Sequence, residues 1–313
     1  MLFAAIDIGS NAVRLYFANI FFPKELPVVE KASLVRVPLR LGEDVFTSGK
    51  ISGERIANLI KTLKAFKMLI EVHNPLGFVA CATSAMREAE NSNDVLKSIY
   101  LETGIDVKII DGIEEARIIC SSNNFNATKK FELSMYVDVG GGSTEISILR
   151  NHEIVATSSF KIGTLRILSG SDKAEEWDKL KQWLMNFENN FGNIFIIGSG
   201  GSINKLGKLY GKSSDRMISL AQMLRGYKQI KSLSMKERIE EMGLRPDRAD
   251  VIVPAAEIFL TIAKTIKSEN IYIPRIGLSD GLVYNLYNSY VQRDITNDIS
   301  GSKMPKKQLV LLK

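Results

Sequence analysis

One glycine-rich phrase occurs twice in this chain, and that repeat limits the possible folds more than any other feature. Near the start the sequence runs Ala5-Ile6-Asp7-Ile8-Gly9-Ser10-Asn11-Ala12-Val13-Arg14-Leu15. At mid-chain it runs Tyr136-Val137-Asp138-Val139-Gly140-Gly141-Gly142-Ser143-Thr144-Glu145-Ile146. Each phrase is an apolar strand with an Asp near its end, a turn of small residues, and a second apolar stretch. The two aspartates lie 131 residues apart, which suits a duplicated fold. Bare N–H groups in such a turn form a nest for phosphate oxygens, and the carboxylate beside it can hold a cation. Glycine permits positive φ there and lets a phosphate come close to the backbone. Two such turns facing across a cleft predict phosphoryl chemistry on a polyanion. A third small-residue turn, Gly198-Ser199-Gly200-Gly201-Ser202, follows another apolar strand. None of the three fits G-x-x-x-x-G-K-[ST], which argues against a P-loop NTPase.

Around these turns the pattern alternates. Strands are predicted over Leu2–Ile8, Val13–Ile20 and Val28–Val37, then a helix capped by Ser52 with Ile56, Leu59, Ile60, Leu63, Phe66 and Ile70 on one face. Strand Gly77–Ala82, helix Asn93–Glu102, strand Val107–Ile110 and helix Glu114–Cys120 complete the first half, and Ser121–Lys130 reads as a linker. The second half repeats the order with strands Ser134–Val139, Glu145–Leu149 and Glu153–Phe160, a long helix through Trp177 and Phe187, and strand Asn193–Ile197. Helices over Leu220–Ser232, Met235–Met242, Asp250–Lys267 and Gly281–Tyr290 follow, with strand Ile271–Ile276 between the last two. The expectation is two α/β domains, 1–125 and 126–313, with a cleft between them.

Composition removes several function classes. Only His73 and His152 are available, neither with a carboxylate or cysteine at ligand spacing, so zinc and His-Asp metal chemistry are not expected. There is no G-x-S-x-G elbow for a serine hydrolase. Two cysteines, Cys81 and Cys120, in apolar surroundings fit a reduced cytoplasmic protein. Neither a signal peptide nor a membrane-spanning run is expected. The net charge of +6 favours acidic partners, but it is spread along the chain except for Lys303, Lys306, Lys307 and Lys313. No nucleic-acid or membrane partner is expected.

Asp7 and Asp138 read as cation ligands or as Asx-turn carboxylates that hold their own loops. In Glu114-Glu115-Ala116-Arg117, acidic residues in a first helical turn follow from the helix dipole alone, though one of them could orient an attacking water. Arg87, in Ala82-Thr83-Ser84-Ala85-Met86-Arg87, has the planar fork that suits a phosphate, the alternative being a surface salt bridge. Arg14 and Arg166 carry the same two readings. Met86, Trp177 and Phe187 are expected in the core.

Taken in order, the phrases resemble one family. Ala5 to Asn11, Ala82 to Ala89, Gly112 to Arg117, Asp138 to Glu145, Gly163-Thr164-Leu165-Arg166, Gly198 to Ser202 and Gly277-Leu278-Ser279-Asp280-Gly281 are similar to the exopolyphosphatase / guanosine pentaphosphate phosphohydrolase (Ppx/GppA) family. That family has the actin–Hsp70–sugar kinase fold. The resemblance implies two ribonuclease-H-like domains, with the last helix, about 281–297, packing back on the first domain. It implies release of terminal phosphate from polyphosphate or a guanosine polyphosphate, dependent on Mg²⁺ or Mn²⁺, with K⁺ as a further ion. It makes Glu115 the general base and matches Asp138 and Glu145 to positions that handle the metal and the attacking water, with Asp7 close by. Arg87 matches a phosphate-contacting arginine. Gly9, Ser10, Asn11, Gly140, Gly141, Gly142, Ser143, Gly200, Gly201 and Ser202 are the expected phosphate-binding residues. A homodimer is a further expectation from the family.

The chain departs from the family pattern at Gly198-Ser199-Gly200-Gly201, at Val253-Pro254-Ala255-Ala256 and at Ser279-Asp280. It also ends before the helical domain that many members carry, and is expected to be of the short two-domain type, preferring short polyphosphate. The reading is an exopolyphosphatase. The alternatives are a guanosine pentaphosphate 5′-phosphohydrolase and, more distantly, a kinase of this fold or a non-catalytic polyphosphate sensor.

Overall fold

The structure is a computed structural model, and it describes residues 1–22, 27–121, 131–151, 153–191, 194–212 and 215–300. Most of the expected linker Ser121–Lys130, together with His152, Asn193 and the lysines at 303–313, falls outside the described residues. Contacts divide the chain into two compact units: Met1–Asn126 with the chain from Leu278 onward, and Ala127–Gly277.

The first unit begins with β1 (Leu2–Ile8), β2 (Val13–Phe21) and β3 (Val28–Val37), then α1 (Leu41–Ser48) and α2 (Gly53–His73). β4 (Phe78–Ala82), α3 (Ser84–Glu88), α4 (Ser92–Thr103), β5 (Lys108–Ile109) and α5 (Gly112–Ser121) follow. The sheet order is β3-β2-β1-β4-β5, with β1, β2 and β3 antiparallel and β4 and β5 added in parallel. β1 is apolar almost throughout because it lies mid-sheet with both faces covered; Phe3, Ala4, Ala5 and Ile6 are fully buried. Ser52 caps α2 by accepting from the Arg55 N–H, and Leu59, Leu63, Phe66 and Ile70 form its buried stripe. The core gathers these with Ile8, Leu15, Phe17 and Met86. Burial, and then the charge of Asp7, push the Cys81 thiol up, so it stays protonated and acts as a small apolar group.

The second unit runs β6 (Leu133–Val139), β7 (Thr144–Arg150), β8 (Glu153–Phe160), α6 (Thr164–Leu168), α7 (Ala174–Phe191) and β9 (Phe195–Ser199). It continues with α8 (Gly201–Tyr210), β10 (Met217–Ser219), α9 (Leu220–Ser232), α10 (Met235–Glu240), α11 (Pro246–Ala249), α12 (Ile252–Thr265) and β11 (Asn270–Tyr272). Its sheet order is β10-β11-β9-β6-β7-β8. Reading β6, β7, β8, β9 and β11 against β1, β2, β3, β4 and β5 reproduces the first sheet, with β10 as an extra antiparallel edge. The fold is therefore α/β and contains the ribonuclease-H-like plan twice. α12 is the most apolar helix of the core, and Ala255, Ala256, Ile258, Phe259, Ile262 and Ala263 on it are fully buried.

Two boundaries differ from the sequence expectation for local reasons. The strand expected over Ile271–Ile276 stops at Tyr272, because Pro274 has no N–H for a ladder and Arg275 has φ 64°. The helix expected from Asp250 begins at Ile252, after the separate short turn of α11.

The last helix, α13 (Leu278–Ser300), belongs to the first unit and packs on α5 and β1. Two hydrogen bonds tie it there: Tyr16 donates to Asp280 at 2.7 Å, and Ser121 to Asn285 at 2.8 Å. Burial, and then the Asp280 charge, push the Tyr16 hydroxyl well up, so it remains a donor. The approach of α13 to α5 is set by a glycine: a Cβ on Gly281 would stand 2.0 Å from the Ile118 carbonyl oxygen. Gly281→Ala is expected to cost about 1–3 kcal/mol, read as a lower urea midpoint at unchanged slope.

Candidate active site

In the second unit one row of side chains crosses four strands. Register pairs Ser199 of β9 with Asp138 of β6, Asp138 with Glu145 of β7, and Glu145 with Ser159 of β8. Residues directly opposite in a sheet lie on one face and touch. A carboxylate oxygen of Asp138 and one of Glu145 are within 4.8 Å of each other. Glu145 is 2% exposed, and its Oε1 accepts from Ser159 at 2.9 Å. At the other end of the row, Ser199 donates to the Ile276 carbonyl at 2.9 Å. The next residue, Gly200, caps α8 at φ 109°, and a Cβ there would meet the Val139 carbonyl at 3.0 Å and Asp138 Oδ1 at 3.4 Å. Glycine is thus needed both for the backbone angle and for the space beside Asp138.

The first unit builds the same row with a different outcome. Asp7 of β1 pairs in register with Arg14 of β2 and Cys81 of β4. Arg14 follows Asp7 by seven residues, as Glu145 follows Asp138. At the equivalent place one unit has an arginine and the other a glutamate. Arg14 Nη1 lies 2.5 Å from Asp7 Oδ2, so the buried Asp7 carboxylate is neutralised within its own hairpin. Asp7, expected beside a cation, is paired with this guanidinium. Asp138, half-buried, and Glu145, buried, bring like charges near each other, and a cation between them would offset their repulsion. An all-oxygen carboxylate pair fits a hard divalent ion such as Mg²⁺ or Mn²⁺.

The turns present amides, though not as the sequence suggests. None of residues 9–11 or 140–143 has positive φ, so neither turn forms the alternating-handed nest. The direction of the amides comes from the carbonyls. Thr164 N–H donates to the Gly140 carbonyl at 3.0 Å, Leu165 N–H to Gly141 at 2.8 Å, and Arg166 Nε to Gly142 at 2.9 Å. In a planar trans peptide the N–H points opposite to the C=O, and the structure has no cis peptide. The N–H groups of Gly141, Gly142 and Ser143 therefore point away from α6. In the first unit Gly42 N–H holds the Ser10 carbonyl at 2.9 Å and Arg40 N–H holds Asn11 at 3.0 Å, which turns the Asn11 and Ala12 amides outward from α1. The Ser10 hydroxyl contacts Ser84 at 2.7 Å and accepts the Ala85 N–H.

The two glutamates of α5 are separated by their environments. Glu114 pairs with Lys108 at 2.6 Å, and its N–H is capped by Asp111. Glu115 is 7% exposed and faces inward. Arg87 on α3 donates from Nη1 to the Ile110 carbonyl at 2.7 Å, joining the end of β5 to the start of α5. One residue that the sequence reading did not single out stands at the third turn: a Cβ on Gly201 would be 2.9 Å from Arg248 Nη2. Arg248 sits on the short helix α11, and no local motif signals it. Nearby, burial and then the charges of Lys208 and Arg248 lower the pKa of Lys205.

Comparison with known proteins places the chain in a family. The model of the Ppx/GppA phosphatase family matches residues 30–185. The chain is 30% identical over 285 residues to the bifunctional 3-dehydroquinate synthase/phosphatase of Fusobacterium nucleatum, covering 80% of this chain and 41% of that protein's length. It is 25% identical over 324 residues to exopolyphosphatase 1 of Mycobacterium leprae, covering 92% of this chain and 90% of the relative. The crystal structure of an exopolyphosphatase from Cytophaga hutchinsonii has the same fold, with TM-score 0.80, 23% identity, and coverage of 92% of this chain and 98% of that one. The chain belongs to the Ppx/GppA phosphatase family. Among the described residues no helix is long and apolar enough to cross a membrane.

The Asp7–Arg14 contact can be tested alone. Arg14→Ala leaves a buried carboxylate without its guanidinium. Because Arg14 is 34% exposed, the expected loss is about 1–3 kcal/mol, below that for a fully buried pair. Denaturant unfolding of Arg14→Ala against wild type measures it.

Proposed function

We propose that this chain hydrolyses the terminal phosphoanhydride of inorganic polyphosphate, releasing orthophosphate. The family sets the reaction class, phosphoanhydride hydrolysis. The observation that carries it is the Asp138–Glu145 pair across β6 and β7, a half-buried and a buried carboxylate with oxygens within 4.8 Å of each other where the sister hairpin has an ion pair.

Asp138 and Glu145 would hold the divalent cation, Mg²⁺ or Mn²⁺, whose chemistry is to offset charge on the terminal phosphate. Ser159 fixes the Glu145 carboxylate through its hydroxyl. The amides of Gly141, Gly142 and Ser143, with those of Asn11 and Ala12 and those at Gly200–Ser202, donate to phosphate oxygens, while the Gly9 N–H is taken by the Ala12 carbonyl at 3.1 Å. Arg87 and Arg248 add guanidinium charge. Glu115 takes a proton from water as the water oxygen attacks the terminal phosphorus in line. The bridging P–O bond breaks, and the shortened chain leaves with its electron pair. In phosphoryl transfer most of the rate comes from positioning and electrostatics, so one inward carboxylate is a sufficient base. Burial of Glu115 beside the paired Glu114 supports that assignment.

Phosphate release is measured with tripolyphosphate, long-chain polyphosphate and guanosine pentaphosphate in parallel. The expected result is Mg²⁺-dependent release fastest on short polyphosphate, with Glu115→Gln slower by at least about 100-fold. Faster release from guanosine pentaphosphate would move the assignment to the nucleotide; no release from any of them would overturn it. A second expectation needs no substrate. After chelation, Mg²⁺ should raise the melting temperature of the wild type. Glu145→Gln should melt higher than wild type without metal, since the repulsion is gone, and gain nothing from Mg²⁺.

A further inference from the structure

The Gly140–Ser143 turn owes the direction of its amides to contacts outside itself. No residue in it takes the left-handed conformation that would fix the amides by local geometry. The carbonyls of Gly140, Gly141 and Gly142 are each claimed from one side, by Thr164 N–H, Leu165 N–H and Arg166 Nε, while that of Ser143 accepts the Gly140 N–H. Arg166 N–H adds a second, longer bond to Gly141, at 3.2 Å. Gly163, just before α6, comes so close that a Cβ there would lie 2.4 Å from the Gly142 carbonyl carbon and 2.5 Å from the Gly141 oxygen. The Thr144 hydroxyl, at the far end of the turn, donates to the Ile162 carbonyl at 2.6 Å. The first unit reaches the same result with Arg40 and Gly42 at the start of α1. Two unrelated short sequences thus hold the carbonyls of the two sister turns.

We infer that Arg166 is a positioning residue: its Nε–H holds the Gly142 carbonyl and so aims the Ser143 N–H toward where phosphate binds. It acts through the backbone and not as a phosphate ligand. It is 7% exposed, and the bond that matters comes from Nε, the nitrogen attached to Cδ, rather than from the end of the fork. The reversal of Ser143 N–H rests on peptide planarity alone. Its catalytic consequence rests on the phosphatase reading.

The bond gives an unusual substitution test. Glutamine carries its amide nitrogen on Cδ, at the same point of the side chain as arginine Nε, so Arg166→Gln keeps a donor to Gly142 and removes the charge. Arg166→Lys keeps the charge and puts a methylene at that point. Arg166→Met removes both. Thr164→Pro provides a variant of a different kind. It deletes the N–H that holds Gly140, together with the threonine side chain, and leaves the Arg166 Nε bond in place, at a first helical position that suits proline, after a residue already extended at φ −148° and ψ 160°.

The readouts are the backbone amide ¹⁵N and ¹H shifts of Gly141, Gly142 and Ser143 in the substrate-free protein, and kcat and KM on tripolyphosphate. Arg166→Gln should keep the Ser143 shift and lose no more than about threefold in kcat. Arg166→Lys and Arg166→Met should both move the Ser143 amide and lower kcat about 10- to 100-fold with little change in KM, as for a misdirected transition-state donor. Thr164→Pro should move Gly141 and leave Ser143 in place. Retention by lysine with loss by glutamine would overturn the inference and make Arg166 a charge contact. Unmoved Ser143 shifts in all three Arg166 variants would overturn it as well. If the wild type releases no phosphate, the shifts still decide whether Arg166 aims the amide, and only the assigned reaction fails. If Arg166→Met does not fold, the contrast between glutamine and lysine decides alone.

Discussion

Everything at the site depends on what stands across the strand from an aspartate. Asp7 and Asp138 occupy the same place in two copies of one hairpin, each followed after seven residues by the residue opposite it. Arginine in the first copy closes the charge inside the unit. Glutamate in the second sets a buried carboxylate beside the half-buried one of Asp138, an all-oxygen donor set of the kind that can hold a hard cation. One substitution at one register position divides the labour of the duplicated fold. The first unit keeps an ion pair, and the second keeps two neighbouring carboxylates.

The sheets make that contact dependable. Four strands carry Ser199, Asp138, Glu145 and Ser159 in one row, and a one-residue slip would send the whole row to the other face. Register is enforced by the apolar residues between them: Val137, Ile146 and Ile148 are fully buried in the same strands. Beyond the strands, short helices take over. α6 and α1 hold the turn carbonyls, Gly200 leaves room beside Asp138, and Gly281 lets the last helix close on α5, which carries Glu115.

The strands, the long helices and the duplicated turn were legible in the sequence because they have strong signals: continuous apolar runs, a 3.6-residue stripe on α2, and repeated Asp-x-Gly. The pairing of Asp7 with Arg14 was present in the spacing, yet a spacing becomes a contact only once the register is known. α1, α3 and α6 were missed because helices of 8, 5 and 5 residues hold too few turns to show a period. Glycine permits positive φ in all three turns, but only the third uses it, at Gly200; the turns at residues 9–11 and 140–143 have no left-handed residue. Arg248 was invisible because its approach to Gly201 is purely tertiary.

The central claim is that the cation seat lies in the second hairpin and not in the first. Calorimetric titration of the chelated protein with Mn²⁺ tests it most directly, comparing wild type with Asp7→Asn and Asp138→Asn. The account predicts one strong site that Asp138→Asn weakens at least tenfold and Asp7→Asn leaves within about twofold. Equal loss in both variants, or loss in Asp7→Asn alone, would contradict it.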